Sequence, residues 1–173
     1  MSKLFNVLFL CTGNSARSIL VEAIVTRLGS GRFRAFSAGS HPKGSVHPLA
    51  LELLQSKDFP IEGLRSKSWD EFAAAGAPEM QLIVTVCDQA AGEVCPIWPG
   101  HPVVVHWGLP DPAAAVGTLE ERRRAFEDAF LTLERQIHML ISMPVEAFDL
   151  ETLKRRTQEI AALPSQTARE AAR

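Results

Sequence analysis

One stretch limits what this chain can fold into: Cys11-Thr12-Gly13-Asn14-Ser15-Ala16-Arg17-Ser18. It follows an apolar run, Val7-Leu8-Phe9-Leu10, and opens an amphipathic one in which Ile19, Leu20, Ala23, Ile24 and Leu28 recur at helical spacing. The order is strand, tight loop, helix. Backbone N–H groups of such a loop converge on one concave space, and the helix dipole adds positive potential, so the loop is expected to hold an anion. Thr12, Gly13, Asn14, Ser15, Ala16, Arg17 and Ser18 are the expected oxyanion-binding residues. Cys11 lies at the floor of this cradle. A helix N-terminus and a guanidinium favour its thiolate, and Arg17 can grip a tetrahedral oxyanion with two donors. Ser18 is placed to donate to the sulfur, and Gly13 and Asn14 suit positive φ. Cys-x5-Arg by itself also fits a buried structural thiol and a solvated arginine; the strand–loop–helix setting and Ser18 favour the functional reading.

The rest of the chain alternates strands with helices. Leu4 to Leu10, Arg32 to Ser37, Gln81 to Val86 and Val103 to His106 read as strands. The first helix ends at Gly29. A second starts at Pro48 and runs to about Ser56, and Trp69 to Ala75 is a short third. Thr118 and Glu121 have the form of a capping box before a long helix with Leu119, Phe126, Phe130, Leu133, Ile137, Leu140 and Ile141 on its expected buried stripe. Pro144 stops it. Asp149 caps a further helix to about Leu163, and Pro164 to Arg173 reads as a frayed tail. The fold class is therefore α/β with a parallel sheet. We expect one main domain over 1–145 and a C-terminal helical extension and tail over 146–173. Ligands of open parallel sheets sit at the carboxyl ends of strands. That rim gathers the first loop, the segment after Cys87 and the loop after Trp107.

Composition excludes some partners. The net charge of −2 and pI near 6.2 give no basic face for nucleic acid, and no apolar run is long enough to span a membrane. No signal peptide is visible, so a cytoplasmic, reducing setting is expected, and that setting argues against a static disulfide framework among the three cysteines. No Cys-x2-Cys or His-x3-His spacing supports a metal site. Cys87 ends the third strand and Cys95 follows eight residues later. In an arbitrary cytosolic chain these would be two unrelated thiols. On the rim beside Cys11, Cys87 can attack a sulfur that carries an activated group, and a third thiol can resolve the disulfide. Asp111 stands between Pro110 and Pro112 on a stiff loop. It is either a turn aspartate or the proton donor that oxygen displacement requires. His41, His47, His101 and His106 and the three tryptophans read as structural.

The first loop resembles the active loop of the low-molecular-weight tyrosine phosphatase superfamily, and its Cys-Thr-Gly-Asn-Ser start is similar to the arsenate reductase branch. The similarity continues through Ser37-Ala38-Gly39-Ser40 and Trp107 to Pro112. It implies a three-layer α/β/α, flavodoxin-like fold with a four-stranded parallel sheet of order 2-1-3-4. It further implies that Cys11 attacks arsenate, that Cys87 attacks Cys11 as arsenite leaves, and that Cys95 moves the disulfide outward, with Asp111 as acid and Arg17 as anion clamp. Segment Asp88 to Val94 must be mobile for that. No bound cofactor is implied. The external reductant is most simply thioredoxin, with glutathione–glutaredoxin or mycothiol as alternatives, because the Cys87–Cys95 interval is one residue longer than in some thioredoxin-coupled members. Phosphate or sulfate would fit the same loop. A phosphatase using Cys11, Arg17 and Asp111 is the alternative activity. The absence of tyrosine, and Ala113 where that branch carries an aromatic residue, count against it.

Overall fold

A computed structural model describes residues 3–163 and 171–172. Strands β1 (Phe5–Leu10), β2 (Phe33–Ala38), β3 (Leu82–Thr85) and β4 (Val103–His106) form one parallel sheet of order β2-β1-β3-β4. The expected topology holds. β1 and β3 are the inner strands and are almost wholly apolar, as strands covered on both faces must be.

Side-chain alternation divides the core. Val7, Phe9, Val84 and Val105 face one cluster, shared with α1 (Arg17–Leu28), α2 (Pro48–Ser56) and α5 (Leu119–Ser142). Leu8, Leu10 and Ile83 face a smaller one with Trp69, Phe72 and Trp98, built around the single turn α3 (Asp70–Ala73). Thr118 and Glu121 form the capping box at the start of α5. α1 begins at Arg17, so residues 11–16 remain loop. One helical turn, α4 (Asp88–Gly92), stands where only a connecting segment is expected.

α6 (Leu150–Ile160) lies across the sheet's edge. Its Leu153, Thr157 and Ile160 are buried, and Trp107 Nε1 donates to the Thr157 carbonyl at 2.9 Å. Gln158 accepts from His106 N at 3.2 Å and donates to His106 O at 3.0 Å, pairing a stretch of β4's open edge. The helix ends at Ile160 rather than Leu163, and the expected tail falls outside the described residues except for 171 and 172. Among the described residues, no helix is long and apolar enough to cross a membrane.

Register decides where the site forms. Leu10 pairs with Ala38 and with Thr85, and Thr85 with His106. All four strands end level, and the four following loops share one rim.

Candidate active site

The loop at residues 11–16 is shaped by what lies behind it. The carbonyls of Thr12, Gly13 and Ser15 accept from His41 N, Lys43 N and His47 N at 2.9, 3.0 and 2.9 Å. These bonds draw the carbonyl side of the loop toward residues 41–47. Asn14 takes φ 43°, the left-handed conformation expected of it, whereas Gly13 does not. The Asn14 side chain is buried and fixes that conformation. Nδ2 donates to Ser18 Oγ at 2.9 Å and Ser37 Oγ at 3.0 Å, and Oδ1 accepts from Lys67 N at 2.8 Å. Ser37 donates to Glu22 at 2.6 Å, with the Lys67 ammonium 3.9 Å from the same carboxylate. Burial raises the Glu22 carboxyl and lowers the Lys67 ammonium from their ordinary values. Asn14 and Ser18 thus brace the loop from behind, and the Ser18 hydroxyl is engaged by Asn14.

Gly39 completes the support. A Cβ there would lie 2.4 Å from Thr12 O and 2.8 Å from Cys11 O, so only glycine lets the end of β2 pass so close. Sequence reasoning does not single out Gly39, Glu22 and Lys67 as site residues, because their roles depend on contacts between distant segments of the chain. Ser37-Ala38-Gly39, at a strand end, carries the only local signal.

In front of the loop is a cavity of about 500 Å³ lined by Cys11, Thr12, Gly13, Ser15, Ala16, Arg17, Cys87 and Asp111, with Lys43 and His41 as further lining groups. Arg17 Nη1 donates to Leu109 O at 2.9 Å, and Nη2 lies 3.6 Å from Asp111 Oδ2. Among the described residues its buried Nε has no hydrogen-bond partner, a donor suited to an anion. Asp111 is held by Ala113 N at 3.0 Å, so the proline-flanked loop does present it to the cavity.

The structure brings Cys11 and Cys87 together. All three thiols are free. Cys87 Sγ accepts from Thr12 N and Ala90 N, each at 3.4 Å, with Thr12 Oγ1 at 3.6 Å, and it caps α4. The neighbouring Cys87 sulfur and burial push the Cys11 thiol far up against the pull of Arg17, whereas Cys87 is held down to about 5, by Cys11 first and then by the Ala90 and Thr12 donors, against burial. The sequence places the resting thiolate on Cys11. The three-dimensional donors place it on Cys87. A thiolate-absorbance titration of the reduced protein should therefore show one sulfur ionising near pH 5, thiol below and thiolate above. Cys87→Ser should remove that step, and Cys11→Ala should move it upward.

Cys95 does not line this cavity. It is half-buried against the Trp69–Trp98 cluster on the other face of the sheet, its thiol 3.7 Å from Glu93 O. His106 bridges Thr85 Oγ1 and Asp88 Oδ1, both at 2.8 Å, so it positions α4 and is structural, as expected. Among the described residues no group of three or more His, Cys, Asp or Glu could hold a metal.

The model of the family described as low molecular weight phosphotyrosine protein phosphatase matches residues 6–159. Among curated proteins, the chain is similar to an arsenate reductase of Halalkalibacterium halodurans, 37% identical over 120 residues, 69% of this chain and 83% of the relative. An arsenate reductase of Bacillus subtilis is 35% identical over 121 residues, 70% of this chain and 84% of that one. Among solved structures, an arsenate reductase from Archaeoglobus fulgidus superposes with a TM-score of 0.58 at 25% identity, covering 79% of this chain and 99% of that one. A thioredoxin-dependent arsenate reductase of Corynebacterium glutamicum gives 0.60 at 24%, covering 82% of this chain and 63% of that one, a likeness of fold.

Proposed function

The chain belongs to the low molecular weight phosphotyrosine protein phosphatase family, and from that premise we propose that it is an arsenate reductase working through a thiol relay. Its curated relatives carry that activity in their names, at 37% and 35% identity over most of their length. The observation that carries the relay is the second sulfur inside the anion cradle: Cys87, hydrogen-bonded to Thr12 N at 3.4 Å and lining the same cavity as Cys11. Hydrolysis of a phosphate ester needs Cys11, Arg17, an acid and water, and has no use for that thiol.

Arsenate enters the cradle and its oxygens take the loop N–H groups and Arg17. The Cys11 thiol gives its proton to the Cys87 thiolate in the same cavity. Cys11 attacks arsenic, an S–As bond forms, and the As–O bond to a hydroxyl breaks. Asp111 supplies one proton and water leaves. Cys87 gives that proton to water and, as a thiolate with its Thr12 and Ala90 donors in place, attacks the Cys11 sulfur. An S–S bond forms and the S–As bond breaks. Arsenic keeps the electron pair, falls from As(V) to As(III) and leaves as arsenite after protonation by water, while two thiols have become one disulfide. Cys95 then attacks Cys87, releases the Cys11 sulfur and forms the Cys87–Cys95 disulfide. An external dithiol reduces that bond.

A thiol reductant is needed on this account, and thioredoxin is the simplest. Glutathione–glutaredoxin and mycothiol are the alternatives to compare with it. The reaction belongs in the cytoplasm, where thiols stay reduced. On this reading the catalytic domain spans residues 1–145 and the extension spans 146–173.

The test is conversion of arsenate to arsenite by the purified, reduced protein with each reductant in turn. Turnover with at least one of them is expected. Aryl-phosphate hydrolysis with no arsenite under any reductant would overturn the reading.

A further inference from the structure

Glu93 lies on the segment between the two later cysteines of the relay, yet its side chain leaves that segment. Oε1 accepts from Thr12 Oγ1 at 3.1 Å, and Oε2 is 3.8 Å from His41 Nδ1. Its carboxylate is only 19% exposed, while the neighbouring Val94 is 95% exposed. The backbone carbonyl of the same residue is the acceptor near the Cys95 thiol, at 3.7 Å. One residue thus touches the anion loop with its side chain and the third thiol with its main chain.

The start of this stretch is held by His106, 2.8 Å from Asp88 Oδ1, and by the Cys87 cap on α4, but its second half has few such ties among the described residues. α4 is one turn, and within Asp88–Val94 only Ala90 is fully buried. Thr12 can serve both of its neighbours. Its N–H goes to Cys87, and its hydroxyl is nearer to Glu93, at 3.1 Å, than to the Cys87 sulfur, at 3.6 Å. A hydrogen bond to an ionised acceptor is among the stronger ones available to a side chain. We propose that Glu93 is a latch: its carboxylate fastens the 88–95 segment to Thr12 of the anion loop and keeps Cys95 idle in the reduced protein. Cys95 is then freed only when the latch lets go. Its thiol is also held above its ordinary value, by burial first and by the Glu93 charge second, which adds to its silence. The ionisable groups around this carboxylate are His41 on the loop after β2, Cys87 beyond Thr12, and Cys95 itself.

The use made of Cys95 rests on the relay reading, but the latch is tested without turnover. The full-length reduced protein, free of arsenate, is alkylated with iodoacetamide across a range of pH. Cys95 is followed by peptide mass spectrometry, with Cys87 in the same maps as an internal reference. Glu93→Ala is expected to raise the high-pH plateau rate at Cys95 roughly tenfold, the scale of one lost charge-assisted hydrogen bond. Glu93→Gln keeps a neutral acceptor for Thr12, so its plateau should rise less than that of Glu93→Ala while its profile moves to lower pH. A Glu93→Ala protein with the parent rate and profile overturns the latch, and so does a plateau raised equally by Gln and Ala. Arsenate turnover is measured separately. If Cys95 responds as expected and no arsenite forms, the relay fails and the latch stands. If turnover is normal and Cys95 does not respond, only the latch fails.

Discussion

Cys87→Ser is expected to abolish arsenite formation, by roughly three orders of magnitude or more, while the protein stays folded and still binds phosphate. The reason lies in two separable duties of the sulfur. As the acceptor for Ala90 N it caps α4, and serine is a good N-cap, so the hydroxyl keeps that duty. As the group that attacks Cys11 and becomes half of a disulfide, it has no substitute in an alcohol. The S–As adduct on Cys11 would then have only water to meet, and water returns arsenate. Whatever aryl-phosphate hydrolysis Cys11, Arg17 and Asp111 support in the parent protein should survive in the same variant. Side-by-side assays of arsenite release and aryl-phosphate hydrolysis make the check. Arsenite release at the parent rate would remove Cys87 from the mechanism.

Gly39→Ala carries the second large effect, and it acts through position. The added carbon would sit 2.4 Å from the Thr12 carbonyl and 2.8 Å from that of Cys11, both backbone atoms that no rotamer can clear. Either β2 or the anion loop must shift. Overpacking of this kind costs about 1–3 kcal/mol. A loop displaced by a fraction of an ångström moves Cys11 away from the donors that define its attack, with an expected loss of about a hundredfold in kcat/KM. Gly44→Ala is the control. Its φ of 86° strains an alanine, but nothing lies within 4 Å of the added carbon, so stability should fall by about 1 kcal/mol with kcat/KM little changed. Denaturant unfolding and steady-state kinetics on both variants separate the two outcomes. Equal kinetic losses would mean that close approach at Gly39 is not what sets the loop.

Local chemistry was legible in the sequence. The apolar run before Cys11, the capping box of Thr118 and Glu121, and Pro48 at the first turn of α2 each act over a few residues, and each element forms where those signals stand. Parallel order followed from alternation of strands and helices, and level strand ends then delivered Cys11, Cys87 and Asp111 to one cavity. The hidden features were those that depend on distant neighbours. α4 carries no apolar periodicity over Asp88–Gly92, and its cap is a sulfur whose other partners lie seventy-five positions earlier. Glu22 and Lys67 look like surface charges until the chain folds them behind Asn14. The site of the resting negative charge was hidden for the same reason. Arg17 is visible beside Cys11 in the sequence, but the two N–H donors that converge on Cys87 are not.

Gln158 has a further consequence. Its side-chain amide does for His106 what a neighbouring strand would do, and Trp107 is tethered to the same helix through Thr157. A fragment that stopped at Ser142 would leave the outer edge of β4 bare and its largest buried ring uncovered. Such an edge recruits strands from other molecules. α6 therefore also guards colloidal behaviour: it keeps one copy of this sheet from becoming a template for the next.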